Sequence, residues 1–286
     1  MAIYISNNLY VTPSDSIINR PLIGWHSVFL PANVTSSGGI NESSVWSPDT
    51  YTYWESDIFD PTSFTHSLTI ATAGASVDYI GVVGHNLGRL GATYSVDGSD
   101  NGTTWTNFVT ARIMATNDPF LDYFNTKTYA FYRLNFSVPP GAPVTPVTIA
   151  HVKIGRILML ERPVWQGETP GGMDVRVDKI GSKSYSGKHL GSSLVSQGEG
   201  FSITQKNNTV SFVRSAALQN FFKHSHRLEK LANGPTESFF YAWRPTTHPT
   251  EIQYCGVVSD FSAPSNQQGT SEGGLMQWSM SGDAFR

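Results

Sequence analysis

Short runs of alternating apolar and polar residues, separated by Gly, Ser, Asn and Pro, constrain the fold of this 286-residue chain most strongly. The clearest run is YAFYRLNF at residues 129–136, and shorter ones lie at residues 66–72 and 92–96. A period of two predicts strands that bury one face and expose the other. The turn-rich segment DGSDNG at residues 97–102 precedes another strand-like run at residues 104–109, so a β-hairpin is predicted there.

The rest of the first half contains a buried strand, a proline-rich connection and a predicted domain boundary. Residues 77–83 are mostly apolar, which predicts a buried strand. Residues 138–146 contain four prolines, too many for a strand, and we interpret them as a connection inside one domain because a strand resumes at residues 149–160. The charge balance changes sign after that strand, so we divide the chain into domains at residues 1–160 and 161–286.

The second half contains one helix-like segment among strands. Between residues 213 and 231, apolar side chains recur at helical spacing, and Asn-Gly-Pro at residues 233–235 is a strong stop signal. Strand-like runs surround this segment at residues 200–204, 209–213, 239–243, 252–258 and 275–280. The second domain is therefore predicted as a β-sandwich with one packed helix, and the whole chain as all-β with minor helix.

Composition and charge exclude several classes of protein. Aromatic residues make up 12% of the chain, which provides apolar area for a packed core and argues against disorder. Residues 1–150 contain five Lys and Arg against eleven Asp and Glu, so a nucleic-acid partner is not expected. The single Cys255 excludes an internal disulfide and a multi-cysteine metal centre. No apolar stretch approaches the roughly 20 residues of a membrane span, and the first residues lack a signal-peptide pattern.

The short motifs that could indicate chemistry lack the surroundings that the chemistry needs. The pattern Gly-x-Ser-x-Gly at residues 269–273 is not followed by a histidine, which a serine nucleophile requires. The half calcium loop that begins at Asp97 has Phe108 where a bidentate glutamate is required. Glu55 and Asp57 are neighbouring carboxylates, but the sequence does not place them across a cleft, so glycoside hydrolysis is only an alternative. We therefore predict no enzyme activity, no catalytic residue, no cofactor and no metal site.

An aromatic cluster, WSPDTYTYW, is the best candidate for a binding site. The rings of Trp46, Tyr53 and Trp54 could stack on sugar rings if they are exposed. His85 and Asn86, in the glycine-rich run GVVGHNLG, could orient a ligand by hydrogen bonding. Two alternatives stay open: the aromatic rings could close the end of the sandwich, and His85 and Asn86 could bond the backbone of their own loop.

Residues from about 19 to 160 resemble the galactose-binding-like, or discoidin, jelly roll. The resemblance rests on ATYSVDGSDNGTTW at residues 92–105, YRL at residues 132–134, VKIGRI at residues 152–157 and the position of Trp46. The sequence departs from the family in lacking paired cysteines and in having a longer hairpin. The resemblance implies a galactose-binding-like jelly roll followed by the β-sandwich with its helix. It leaves the ligand open, because many such domains bind no sugar.

Two further segments resemble tail proteins of tailed bacteriophages that contain this domain. They are VDYIGVVGHNLG at residues 77–88 and FYAWRPTTHPTEIQY at residues 240–254. The resemblance implies a structural component of a phage tail tip, which forms a homo-oligomeric ring through its C-terminal domain while the jelly roll projects outward. Its partners would be the tube, hub and fibre proteins of the tail, and its location the virion, after assembly in the host cytoplasm. The alternative function is a carbohydrate-binding module that recognises a host cell-surface glycan.

Overall fold

The computed structural model describes residues 3–4, 9–11, 19–28, 33–57, 65–141, 145–163, 175–183, 185–186, 189–226, 238–266 and 274–285. Within these ranges the chain forms eighteen β-strands in three sheets, three α-helices of four to eleven residues, and a 3₁₀ helix at Glu42–Trp46. The predicted fold class, all-β with minor helix, is confirmed.

Two of the three sheets form a jelly roll. The six-stranded sheet contains, in spatial order, β1 (Ile3–Tyr4), β2 (Leu9–Val11), β10 (Phe120–Thr128), β7 (Ser76–His85), β12 (Thr148–Gly155) and β5 (Trp54–Glu55). The five-stranded sheet contains β4 (Val34–Ser36), β6 (Thr65–Ala71), β11 (Phe131–Ser137), β8 (Thr93–Ser99) and β9 (Thr106–Ile113). Between β5 and β12 the chain crosses repeatedly from one sheet to the other, which is the connectivity of a jelly roll.

The facing sides of these two sheets enclose the first hydrophobic core. Strand β11 shows the predicted alternation, since every second residue from Tyr132 to Phe136 is fully buried and the residues between them are half-buried on the outer face. The period of two thus places one side of the strand in the core and the other on the surface.

The connection between β8 and β9 is a turn that is bonded to itself. The two strands pair antiparallel, so the predicted hairpin is confirmed. Asn101 Oδ1 accepts hydrogen bonds from the backbone N–H groups of Thr103 and Thr104, at 2.9 and 2.8 Å. Within the ranges given above, no three His, Cys, Asp or Glu side chains form a cluster able to hold a metal ion.

The third sheet has seven strands and combines segments that are far apart in the sequence. Its strands are, in spatial order, β13 (Leu158–Met159), β3 (Leu22–Gly24), β16 (Phe239–Ala242), β17 (Ile252–Asn266), β18 (Met276–Phe285), β15 (His189–Asn208) and β14 (Val175–Lys183). Strands β3 and β13 lie before residue 160, so this sheet takes strands from both sides of the predicted domain boundary.

The six-stranded sheet is buried on both faces along β7 and β12. Its outer face packs against the seven-stranded sheet through a second core that includes Tyr79, Leu121, Phe240 and Tyr254. The two sheets approach closely at Gly81, where a side chain would not fit. A Cβ atom added there would lie 2.5 Å from the ring of Phe240. Burial on both faces explains the mostly apolar sequence of β7, which the sequence predicted as a buried strand.

Helix α3 (Ala216–His226) covers the other face of the seven-stranded sheet. The buried rings of Phe221 and Phe222 contact the third core, and the ring centroid of Phe222 lies 5.2 Å from that of Trp278. The four layers of the chain are therefore the five-stranded sheet, the six-stranded sheet, the seven-stranded sheet and this helix.

The described part of the helical segment begins later than the sequence predicted. The prediction placed a helix between residues 213 and 231, and α3 lies within it, preceded by the separate single turn α2 (Val210–Val213). The hydroxyl of Thr209 caps α2 by accepting a hydrogen bond from the N–H of Phe212 at 3.2 Å. Residues 227–231 lie outside the described ranges. In the part of the chain that the structure describes, no helix is both long and apolar enough to span a membrane.

Candidate functional site

A polar cleft opens at the edge of the six-stranded sheet, where β5 pairs with the beginning of β12. Its volume is about 470 Å³, which falls in the range of roughly 300–1,000 Å³ that is usual for small-molecule sites. Four separate segments contribute to its walls, among them the short helix α1 (Leu87–Leu90) that follows β7. The lining residues are Tyr53, Glu55, Asn86, Arg89, Asn117, Thr145, Pro146 and Thr148.

Strand β5 places neighbouring side chains on opposite sides of the sheet. Trp54 is 0% exposed and packs in the jelly-roll core, where its ring centroid lies 6.2 Å from that of Phe136. Tyr53 and Glu55, on either side of it, face outward and line the cleft, and Tyr53 is 43% exposed. The prediction that Trp54 stacks on a sugar is wrong, because no face of its ring is open to a ligand.

Glu55 and Arg89 bring opposite charges into the cleft without forming an ion pair with each other. No ion pair between described residues includes either of them, and neither side chain hydrogen-bonds to another described residue. Arg89 is positioned through its backbone, because its N–H donates to Oδ1 of Asn117 at 3.0 Å. A carboxylate that can accept hydrogen bonds and a guanidinium that can donate them therefore both face the cleft.

Asn86 positions the loop that forms one wall of the cleft. Its Nδ2 donates to the carbonyl oxygen of Pro146 at 2.7 Å, and its Oδ1 accepts from the N–H of Thr148 at 3.0 Å. The residue lines the cleft as predicted, but both ends of its amide are already bonded to backbone. Asn86 therefore shapes the site by bonding a segment that is distant in the sequence, and not the backbone of its own loop as the alternative proposed.

Replacing Asn86 should destabilise the protein. We expect Asn86→Ala to lower the free energy of unfolding by about 2 kcal/mol, because it leaves two backbone groups without their partner. Denaturation with urea measures the change. Asn117→Ala is the matched control, since Asn117 is exposed, and it should lower the free energy of unfolding by less than about 1 kcal/mol. Equal losses in the two variants would contradict the role given to Asn86.

His85 lies behind the cleft and belongs to the core. Its Nε2 donates to the carbonyl oxygen of Asp118 at 3.0 Å, and its Nδ1 accepts a long hydrogen bond from the N–H of Leu87 at 3.4 Å. Its ring packs edge-on against Phe120 at 5.2 Å. Burial lowers the pKa of His85 to about 4, so the ring is neutral near pH 7. The prediction that His85 orients a ligand is wrong, because both ring nitrogens are engaged with the backbone.

Trp46 lies at the end of the 3₁₀ helix and is not one of the residues that line the cleft. Its ring is 43% exposed, so it has a face that a ligand could contact. Its role in binding a glycan stays a prediction.

The described residues of the cleft include groups for binding but only one carboxylate, whereas glycoside hydrolysis requires a pair. Glu55 is the one carboxylate among the described lining residues, whereas glycosidases use two that flank the scissile bond. Asp57, the other member of the pair considered from the sequence, is not a lining residue. The Gly-x-Ser-x-Gly pattern lies outside the described ranges. The arrangement therefore supports recognition through hydrogen bonds and one aromatic face.

No protein-family model and no curated protein matches this sequence. Among solved structures, a pectin-binding carbohydrate-binding module is 17% identical with a TM-score of 0.36, over 46% of this chain and 93% of its own. Chitosan-binding module 1 of a chitosanase/glucanase from Paenibacillus sp. IK-5 is 17% identical with a TM-score of 0.37, over 46% of this chain and 99% of its own. A CBM32 module from Clostridium perfringens, in complex with GalNAc-β-1,3-galactose, is 11% identical with a TM-score of 0.35, over 43% of this chain and 94% of its own. These matches give no support to the phage-tail resemblance, which stays a prediction.

Six of the eight described lining residues were not among the binding candidates from the sequence: Glu55, Arg89, Asn117, Thr145, Pro146 and Thr148. Arg89 lies just after the glycine-rich run that contains His85 and Asn86, whereas Asn117 and Thr148, the first residue of β12, are far from the aromatic cluster in the sequence. The one available signal was Glu55, which lies two residues after Tyr53. On an extended strand that spacing puts both side chains on the same face.

Proposed function

We propose that the jelly roll of this chain binds a neutral glycan in the cleft, without making or breaking a covalent bond. The observation on which the proposal depends is the convergence of the Tyr53 ring, the Glu55 carboxylate and the Arg89 guanidinium on one cleft. Sugar hydroxyls both donate and accept hydrogen bonds, so a group that only accepts and a group that only donates can each bind them. The tyrosine ring supplies a flat apolar face for the sugar ring.

The charge around the cleft favours a neutral ligand. Residues 21–88 contain six Asp and Glu and no Lys or Arg, and Arg89 is the one basic side chain among the described lining residues. The charges of the lining residues Glu55 and Arg89 balance, so the cleft offers no excess of positive charge to attract a polyanionic glycan. A neutral sugar does not need such an attraction.

Variants of the cleft should lose affinity for the glycan. An array of neutral glycans incubated with the whole chain identifies the ligand, and isothermal titration calorimetry then measures its affinity. We expect Tyr53→Ala, Glu55→Gln and Arg89→Met each to weaken binding by about tenfold or more, because each removes ring stacking or a hydrogen bond to a charged group that contributes about 1.5–3 kcal/mol.

Tyr185→Ala is the matched control for these variants. Tyr185 is a fully exposed tyrosine outside the jelly roll, so its removal should leave the affinity unchanged. All four variants should melt within a few degrees of the wild type, since none of them removes a fully buried side chain. An array without signal, or an affinity that the three cleft variants leave unchanged, would refute the proposal.

A structural role in a phage tail is the second candidate function. The observation that favours it is the open edge of the seven-stranded sheet, where β14 is nine residues long and pairs only with β15 among the described strands. An open edge can pair with a strand of another copy, and repetition of that contact can close a ring. Analytical ultracentrifugation should then detect a ring-sized species, and a monomer at high protein concentration would contradict this role.

A further inference from the structure

The segment between residues 40 and 53 contains most of the large apolar side chains that the described chain exposes. Six such side chains are exposed among the described residues, and four of them lie in this segment: Ile40, Trp46, Tyr51 and Tyr53. Tyr51 is the most exposed of the four, at 90%. Single exposed apolar residues are common on protein surfaces, but a concentration of them indicates a binding surface.

Asp49 fixes the loop that presents Tyr51. Its Oδ1 accepts hydrogen bonds from the backbone N–H groups of Tyr51 and Thr52, at 3.2 and 2.8 Å, and from the Thr52 hydroxyl at 2.7 Å. Its Oδ2 accepts a hydrogen bond from the hydroxyl of Ser47. Partial burial alone would raise the pKa of Asp49, but these hydrogen bonds outweigh it and hold the pKa at about 2. The carboxylate is therefore charged, and the turn is closed, near pH 7.

Two buried side chains from different sheets anchor the base of the same loop. Tyr254, on β17, donates its hydroxyl hydrogen to the carbonyl oxygen of Pro48 at 2.8 Å. His151, on β12, donates from Nδ1 to the carbonyl oxygen of Val45 at 3.1 Å. A side chain on a fixed loop loses little conformational freedom when it binds a ligand. Tyr51 is thus presented on a rigid support beside the cleft residue Tyr53.

The spacing of the two tyrosines suits neighbouring units of a sugar chain. Tyr51 lies two residues before Tyr53, and two residues of extended chain span at most about 7 Å. We infer that Tyr51 is a second sugar-binding position, and that the ligand is an oligosaccharide of at least two units, one in the cleft and the next stacked on Tyr51. Because this inference rests on the proposed function, its test must separate the second position from the first.

The experiment compares monosaccharides with their β-1,4-linked tetramers on the whole chain. The probes are glucose and cellotetraose, galactose and galactotetraose, and N-acetylglucosamine and its tetramer, each measured by isothermal titration calorimetry. For the pair that binds, the wild type should bind the tetramer about tenfold or more tightly than the monosaccharide. Tyr51→Ala should remove this advantage and leave the affinity for the monosaccharide within about twofold. Tyr53→Ala should weaken the binding of both probes.

The conservative variant Tyr51→Phe keeps the ring and should retain the advantage of the tetramer. If Tyr51→Phe behaves like Tyr51→Ala, ring stacking is refuted. If the tetramer has no advantage in the wild type, or Tyr51→Ala preserves it, the second position is refuted while the cleft stands. If none of the six probes binds and the array of neutral glycans gives no signal, the proposed function fails, and the second position fails with it; if the array identifies another glycan, its monosaccharide and tetramer replace these probes.

Discussion

Acidification from pH 7 to about pH 4.5 should lower the free energy of unfolding by about 5 kcal/mol through two buried histidines. Burial lowers the pKa of His85 to about 4, and burial together with the charge of Lys153 lowers the pKa of His151 to about 3. Both titrate near 6.5 in the unfolded chain. Below pH 6.5 the unfolded chain therefore binds two protons that the folded chain excludes, so stability falls as the pH falls.

The surroundings of the two rings explain why they stay neutral. His85 Nδ1 accepts a hydrogen bond from the N–H of Leu87. A proton on Nδ1 would point at the hydrogen of that N–H group, so the hydrogen bond would be lost. His151 is fully buried near Lys153, whose Nζ donates to the carbonyl oxygen of Trp25 at 3.2 Å. A second positive charge beside this lysine would be repelled in a medium of low dielectric constant.

Urea unfolding at pH 7 and at about pH 4.5 measures the loss of unfolding free energy. Variants with a neutral side chain in place of each histidine show how much of the loss that histidine causes. His85→Gln and His151→Asn each keep a nitrogen donor but cannot be protonated, so each should reduce the pH-dependent loss by about 2.5 kcal/mol. Burial raises the pKa values of Asp78 and Asp122. Their contribution to the pH dependence of stability is the same in the wild type and in both variants, so it cancels in the comparison. A variant with the same pH dependence as the wild type would show that its histidine does not titrate as the structure requires.

The parts of the fold that the sequence predicted are those that depend on local patterns. The alternation in β11, the hairpin of β8 and β9 and the apolar strand β7 all follow from residues that are near one another in the sequence. The stacking of three sheets could not be predicted in this way. It depends on β3, a strand of three residues that pairs with β16 more than 200 positions later.

In the candidate site, too, the sequence predicted the segment that contributes residues but not which of its side chains face the cleft. The sequence pointed to the correct segment, but it could not decide which of Tyr53 and Trp54 faces the core. A shift of one residue in a strand exchanges its two faces, and the register of β5 against β12 sets that choice. Arg89 and Asn117 join the site only because loops from different strands meet at the same edge.

The sequence also could not predict an ion pair in the interior of the jelly roll. Arg112 on β9 and Asp122 on β10 belong to different sheets, and Arg112 Nη2 lies 2.5 Å from Asp122 Oδ1 across the space between them. Their side chains are 6% and 0% exposed. The guanidinium also lies 5.4 and 5.3 Å from the ring centroids of Tyr94 and Phe120. The pair thus connects the two sheets, and the hydroxyl of the buried Tyr94 also hydrogen-bonds to Asp122.

Breaking this pair should destabilise the fold more than any other single substitution considered above. We expect Asp122→Asn to lower the free energy of unfolding by about 3–5 kcal/mol, because it leaves the charge of Arg112 buried without its partner. The double variant Arg112→Met with Asp122→Leu removes both charges and should recover most of the loss, since two apolar side chains suit a buried position. Urea unfolding of the three proteins at pH 7 measures these differences.

A partly exposed ion pair provides the matched control for burial. Arg156 Nε lies 3.0 Å from Asp78 Oδ2, but the arginine side chain is 51% exposed. Arg156→Met should therefore lower the free energy of unfolding by less than about 1 kcal/mol, because water screens the interaction and the buried Asp78 keeps the hydrogen bond that it accepts from the backbone N–H of Ile157. If Asp122→Asn proves as mild as Arg156→Met, the interior pair does not hold the two sheets together. If the double variant is less stable than Asp122→Asn, the pair contributes more than the desolvation of its charges costs.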